Sequence, residues 1–337
     1  MEPATDLVPL RHVRLPGRGP EDVVADARGR ILTGLEDGRV LRVDGLTEPG
    51  APVRTEVLAR TGGRPLGLEL LPDDGLLVCD ADRGLLRIGL ADGRVDVLVD
   101  RVAGERIRFA SNVVALPDGS VCFTVSTRRY PLEQWIGDIV EHTGTGRLLR
   151  LAPGAREPEV LLEGLHFANG LAAAPDGASV VVAETGAYRL TRVHLTGPRA
   201  GRAEPLVEDL PGMPDNIWRA GPGAPIWVAL AGPRVPPLDL LHRTAPAVRR
   251  AAARAAVRAP FRPTGRIAVL AVDDDGRILH HLARRRSAFR MVTSVCAAGE
   301  RLVLGSLWEH GLAVCAAPHD TAPADPPAGP PAGGSVK

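Results

Sequence analysis

A turn followed by short apolar runs returns six times along the chain, and this recurrence limits the available folds more than any single residue does. It first reads "DARGRILTGLEDGRVLRVD" from residue 26, then "LPDDGLLVCDADRGLLRIGLADGRVDVLV", then "LPDGSVCFTV" continued by "TGRLLRLAPG". "APDGASVVVAETGAYRLTRVHL" follows, then "GAPIWVALAG" with "GRIAVLAVDDDGRILHHL", and last "AAGERLVLGSLWEHGLAVCAA". Each unit opens on Gly or Asp-Gly turn chemistry and runs into strands of Val, Leu and Ile. A period of about 45 residues is the size of a four-stranded propeller blade. Six units therefore predict an all-β fold, a six-bladed β-propeller over residues 1–316. The stretch around "LVPLRHVRL" has no unit of its own. It is expected to pair with the last blade and close the ring, which removes the exposed sheet edges.

Two segments break the β pattern. Residues 130–146 space Leu132, Trp135, Ile136 and Ile139 as one face of a short helix. Residues 237–263 are rich in Ala and Arg between bounding prolines and also predict helix. Both are expected to cover the channel entrance. Arg249, Arg250, Arg254 and Arg258 in the second segment could attract an anionic substrate or a membrane surface. The charge pattern alone favours the solvated outer face of a covering helix. Residues 317–337, rich in Pro, Ala and Gly, are expected to form a disordered tail.

With 45% hydrophobic residues the chain can build a core, but at 3% aromatic content Val, Leu and Ala must fill it. A net charge of +1 gives the chain as a whole no reason to seek nucleic acid. Cys79, Cys122, Cys296 and Cys315 lack CxxC spacing and are expected to be buried thiols rather than a zinc or redox site. No apolar run approaches the roughly 20 residues of a membrane span. The first residues lack the basic start and apolar region of a signal peptide. A cytoplasmic protein acting on a small molecule is the expectation.

Polar residues stand where inner strands should begin: Glu21 in "GPEDVVAD", Asn112 in "FASNVVALPDG", Asn169 in "FANGLAAAPDG", and Asp215 with Asn216 in "MPDNI". In a propeller such positions converge on the central channel from separate blades. Two carboxylates balance a dication and three amide carbonyls complete the shell. Hard oxygen donors without His or Cys suit calcium better than zinc or copper, with another divalent cation such as magnesium as the alternative.

At these residues the sequence resembles the strictosidine synthase-like family, whose members include the adipocyte plasma membrane-associated protein. The carrying segments are "TGRLLRL", "LLEGLHFANGLAAAPDG", "VVAETGAYRLTRVHLTGPRAG", "LPGMPDNI" with "WVAL", and "VTSV" with "ERLVLGSL"; "GRPLGLEL" fits the second blade. The likeness runs from about Leu15 to Cys315. It implies kinship with gluconolactonases and paraoxonases, calcium-dependent six-bladed propellers whose metal is held by one Glu, several Asn and an Asp-Asn pair. Glu21, Asn112, Asn169, Asp215 and Asn216 match that set.

The implied activity is a calcium-dependent hydrolase of lactones or esters, the channel metal polarising the carbonyl and stabilising the oxyanion. Asp215 or His166 would be the base, and Arg64 and Trp135 would contact substrate. Glu184 and Arg189 are expected to form an internal ion pair. Three positions depart from the family. Thr293 replaces the glutamate that strictosidine synthase uses for condensation, Val113 replaces the Asp of an Asn-Asp pair, and Val125 replaces the acid of "FTDSS". Two alternatives stay open: a biosynthetic enzyme catalysing condensation or rearrangement, and a non-enzymatic propeller with a structural metal.

Overall fold

The middle strands of the repeats are apolar on both faces, so each must be covered from two sides. Gly75–Asp80 and Ser179–Glu184 are buried along their whole length. Packing one sheet against the next around a closed ring meets that demand. The computed structural model, which describes residues 4–8, 10–48 and 50–318, shows this arrangement.

Six antiparallel sheets of four strands form the blades of a propeller, and one of them gains a fifth strand where Thr5–Asp6 runs parallel to Ile278–Arg284. The innermost strands, in chain order, are Val23–Ala25, Pro65–Leu70, Ala110–Ala115, Ala168–Ala173, Gly212–Arg219 and Val292–Ala298. The last blade contains only three strands from the end of the chain. Its fourth is Arg11–Arg14, which pairs antiparallel with Gly311–Ala316 and closes the ring as the orphan strand was expected to do.

The core lies between blades. Leu77, Cys79 and Leu85 of the second blade pack on Val113, Phe123 and Leu149 of the third. Aliphatic side chains dominate such layers, and the four cysteines are free and buried in them.

Three α-helices sit on one face: α1 (Trp135–Glu141), α2 (Pro236–His242) and α3 (Pro246–Arg258). The second and third begin with proline in the first turn, where its missing N–H costs nothing. Helix α3 packs across α1. Gly137 allows this approach, since a Cβ there would lie 2.8 Å from Val257 Cγ2 and 2.5 Å from the Tyr130 ring. Of the tail expected at 317–337, residues 319–337 lie outside the described residues.

Candidate metal centre and pocket

A regular strand turns alternate side chains to opposite faces, so two adjacent residues cannot both face the channel. Five of the six inner strands break this rule at the same place. Pairing skips between Pro65 and Leu68, Ala110 and Val113, Ala168 and Leu171, Pro214 and Ile217, and Val292 and Ser294. Each skip is a β-bulge, which kinks the strand and re-aims side chains. The bulged residues include Ser111 and Asn112, Asn169, Asp215 and Asn216, and Thr293. The inner strand of the first blade has no such bulge, and Glu21 and Asp22 precede it directly. Gly170 completes the bulge of the fourth blade. A Cβ there would lie 2.3 Å from the Ile217 backbone nitrogen, so the Asn-Gly pair sets an amide toward the axis and lets the next blade close in.

Bulging frees backbone groups from the sheet ladder, and hydroxyls take them up. Thr124 Oγ1 accepts from Asn112 N at 3.0 Å and donates to the Asn169 carbonyl at 2.8 Å, bridging the third and fourth blades. Thr185 Oγ1 donates to the Pro214 carbonyl at 2.6 Å, and Thr293 Oγ1 to the Glu21 carbonyl at 2.7 Å.

The structure brings all five expected oxygen donors together, each at most 6% exposed. Asn216 Nδ2 donates to Glu21 Oε1 at 2.9 Å, and Asn112 Nδ2 to Asn216 Oδ1 at 3.0 Å. Asn169 Nδ2 donates to Asp215 Oδ1 at 2.6 Å, and Ser111 Oγ donates to Asn169 Oδ1 at 3.0 Å. Glu21 Oε2 is buried with no hydrogen-bond partner. Burial, then the nearby charge of Asp215, holds the Glu21 carboxyl well above the usual carboxylate range. Burial likewise pushes Asp215 up to about 8, against the opposing hydrogen bond from Asn169. Two buried acids that ionise with difficulty, one with an orphaned oxygen, are what a cation would relieve. Among the described residues no cluster of three His, Cys, Asp or Glu could hold a metal. Any cation here would depend on amide oxygens, and this donor set fits a hard, oxygen-seeking divalent ion.

Above the ring lies a cavity of about 300 Å³. Its floor is Glu21, Ser111, Asn169, Thr185, Asp215 and Thr293, and its walls carry Phe109, Phe167, Trp135 and Phe261. Both insertions contribute: Leu132, Trp135, Ile136 and Ile139 from the first, Leu238 and Phe261 from the second. The expected covers thus stand over the face on which the carboxylates open.

Other candidates lie elsewhere. Trp135 lines the cavity, whereas Arg64 does not: it is 6% exposed and its Nη2 donates to the Gly19 carbonyl at 2.8 Å. His166 also misses the cavity. Its ring stacks on His142, centroids 3.7 Å apart, and His142 stacks on His242 at 4.0 Å. The left-handed backbone of Phe167 turns the phenyl ring of that residue into the pocket while His166 is directed into this stack. Burial lowers the pKa of His166, and pushes that of His142 down to about 3. Glu184 and Arg189 pair at 2.7 Å, as expected. Sequence alone does not single out Ser111, Thr124 and Thr185; for the last two, hydroxyls inside the apolar runs "FTVST" and "AETG" were the available signal.

Among known proteins, the family description Strictosidine synthase matches residues 112–198, and Strictosidine synthase-like, N-terminal, matches residues 1–43. The strictosidine synthase-like 6 protein of Arabidopsis thaliana is 34% identical over 292 residues, covering 86% of this chain and 76% of that protein. The adipocyte plasma membrane-associated protein of Danio rerio is 36% identical over 239 residues, 67% of this chain but 57% of the relative's length. In structure the chain is similar to a gluconolactonase of Xanthomonas campestris, with a TM-score of 0.63 at 18% identity, over 92% of this chain and 89% of that one. It is also similar to regucalcin, a calcium-binding protein of Agrobacterium tumefaciens, with a TM-score of 0.60 at 18% identity and 90% coverage of each.

Proposed function

The chain belongs to the strictosidine synthase-like family, and from that premise we propose that it is a divalent-cation-dependent hydrolase of lactones or esters. The observation that carries this reading is the ring of Glu21, Asn112, Asn169, Asp215 and Asn216, opening through two buried carboxylates onto the floor of an apolar pocket. Calcium, the cation this donor set suits best, would supply Lewis acidity for a carbonyl oxygen at the floor.

The chain's own residues do the rest. Asp215 is the base, since it alone of the two expected candidates lines the pocket. It takes the proton of the attacking water. A covalent route has little support, because the floor hydroxyls are already committed as donors: Ser111 to Asn169, Thr185 to Pro214, Thr293 to Glu21. None of them pairs with a histidine. The aromatic walls hold the apolar part of the substrate and keep bulk water from the reacting carbon. Condensation of the strictosidine type has less support, as Thr293 puts a hydroxyl on the floor where that chemistry uses a carboxylate.

The test is metal analysis followed by a panel of lactones and aryl esters, with and without chelator. Turnover that disappears on chelation and returns with calcium is expected. Turnover indifferent to chelation, or none across the panel with the metal bound, would overturn the proposal.

A further inference from the structure

The charge of this protein is unevenly placed. Residues 234–266 contain eight arginines and one acid, Asp239, a net of +7 in a chain whose total is +1, so everything else sums to −6. That segment is the cover holding α2 and α3. Arg234 is neutralised there by Asp209 and Asp239, and Arg250 reaches Glu141 only at 3.9 Å. Arg243, Arg254, Arg258 and Arg262 are exposed and make no ion pair among the described residues.

Apolar exposure gathers in the same place. Of eight large hydrophobic residues exposed among those described, Val235 (38%), Leu240 (65%) and Val248 (50%) fall within this one segment, while the other five are spread over the rest of the chain. On α3 the exposed Val248, Ala251 and Ala255 share one strip by helical spacing, with Arg254 and Arg258 on the strip beside it. Helix α2 has two working faces: Leu238 lines the pocket and Leu240 points to solvent.

We propose that the outer face of α2 and α3 docks on an anionic phospholipid surface. An apolar strip flanked by arginines is how a helix lies in a lipid interface, stems buried and guanidinium groups among the headgroups. An acidic protein would satisfy the arginines but gives no reason for the Leu240 and Val248 side chains to stand in water beside them. No helix among the described residues is long and apolar enough to span a bilayer, so the contact is peripheral. Docked this way, the apolar pocket beside Leu238 and Phe261 opens at the lipid boundary, where an apolar substrate is concentrated.

The test is flotation of the full chain with phosphatidylcholine vesicles, with and without phosphatidylserine, which needs no turnover and so stands apart from the hydrolase reading. Binding is expected only with phosphatidylserine, fading as salt rises past physiological strength, where screening acts within about 8 Å. Arg254→Glu with Arg258→Glu should weaken it more than about tenfold, since each basic residue near the surface contributes a several-fold factor. Leu240→Ser with Val248→Ser should weaken it severalfold at unchanged charge. Arg28→Glu with Arg277→Glu, in exposed turns at the other end of the channel, should bind as the parent does. Absent binding at low salt, or equal losses in both charge-reversed pairs, overturns the proposal. Normal binding by the Ser pair, with polyglutamate competing as well as vesicles, overturns it in favour of an acidic protein.

Discussion

At one mouth of the channel, Glu21, Asn169 and Asp215 lie beneath Phe109, Phe167, Trp135 and Phe261; at the other, Asp22, Glu69 and Asn112 line a hollow of about 230 Å³ beside Pro117, Pro175 and Pro222. The same inner strands build both. On the first side the strands start, bulge, and receive two helical insertions. On the second they end in short turns such as "LPDG" and "APDG". The paired residues Glu21 and Asp22, and Ser111 and Asn112, divide between the two cavities. Both mouths hold acids with raised pKa values, so an acidic lining by itself marks neither as reactive. What separates them is the apolar wall above one, to which the insertions add Trp135 and Phe261 beside Phe109 and Phe167 at the starts of two inner strands.

Asp215→Asn is the sharpest way to break this contrast. It removes charge and base at once, and turnover on whichever lactone or ester is hydrolysed should fall on the order of a thousandfold. Circular dichroism should remain that of the parent. Asn169→Ala leaves four of the five donors and should cost about a hundredfold, with the loss in kcat. Full turnover in both variants would make the cation a structural staple and put the two mouths on equal terms.

The wall predicts a subtler pattern. Trp135→Ala should lower kcat/KM for bulky aryl or long-chain esters by about tenfold, and for the smallest ones hardly at all. Equal losses for all sizes would mean that Trp135 positions the cover instead of touching substrate.

Acid should loosen that cover. Burial, then the charges of His166, His242, Arg249 and Arg189, disfavours the charged form of His142, whose pKa is about 3 against about 6.5 in an unfolded chain. Its contribution is therefore complete above about pH 6.5 and is lost as pH falls through the interval toward 3. Amide protection factors in α1 and α2 should fall selectively below pH 6, while those of the inner strands hold.

The smallest effect belongs to the other mouth. Burial pushes Glu69 up to about 8, so its stabilising contribution is full below about pH 4.3 and is lost as pH rises through 8. Glu69→Gln should raise Tm by about a degree or two near pH 8 and not at pH 4. Turnover should not change. A loss of activity here would join the two cavities into one functional unit.

Blade number, ring closure and the five oxygen donors were legible in the sequence because each depends on residue type at a recurring interval. Asn169 and Asp215 interrupt apolar runs, and only a polar destination explains that. The bulges were not legible, since a slipped register belongs to the pairing of two strands and not to either one. For the same reason Ser111 looked like an ordinary strand residue. His166 was misread because its partners, His142 and His242, come from the two insertions, and their approach depends on how α1 and α2 settle on the blades. Arg64 in "GRPLG" resembles a substrate clamp until its side chain is seen buried outside the pocket, with Nη2 on the Gly19 carbonyl.

The hydroxyl bridges near the axis bear on how the molecule comes apart. Thr124 ties the third blade to the fourth, Thr185 the fourth to the fifth, and Thr293 the sixth to the first, while Arg11–Arg14 locks the sixth from outside. An open stack of repeats frays from its ends, one unit at a time. A ring latched in this way offers no end at which to begin. Losing the fourth blade would break the hydroxyl bridges on both of its sides, and losing the first, third, fifth or sixth would break one. The blades are therefore expected to melt together, with the inner-strand amides exchanging only when the whole molecule opens.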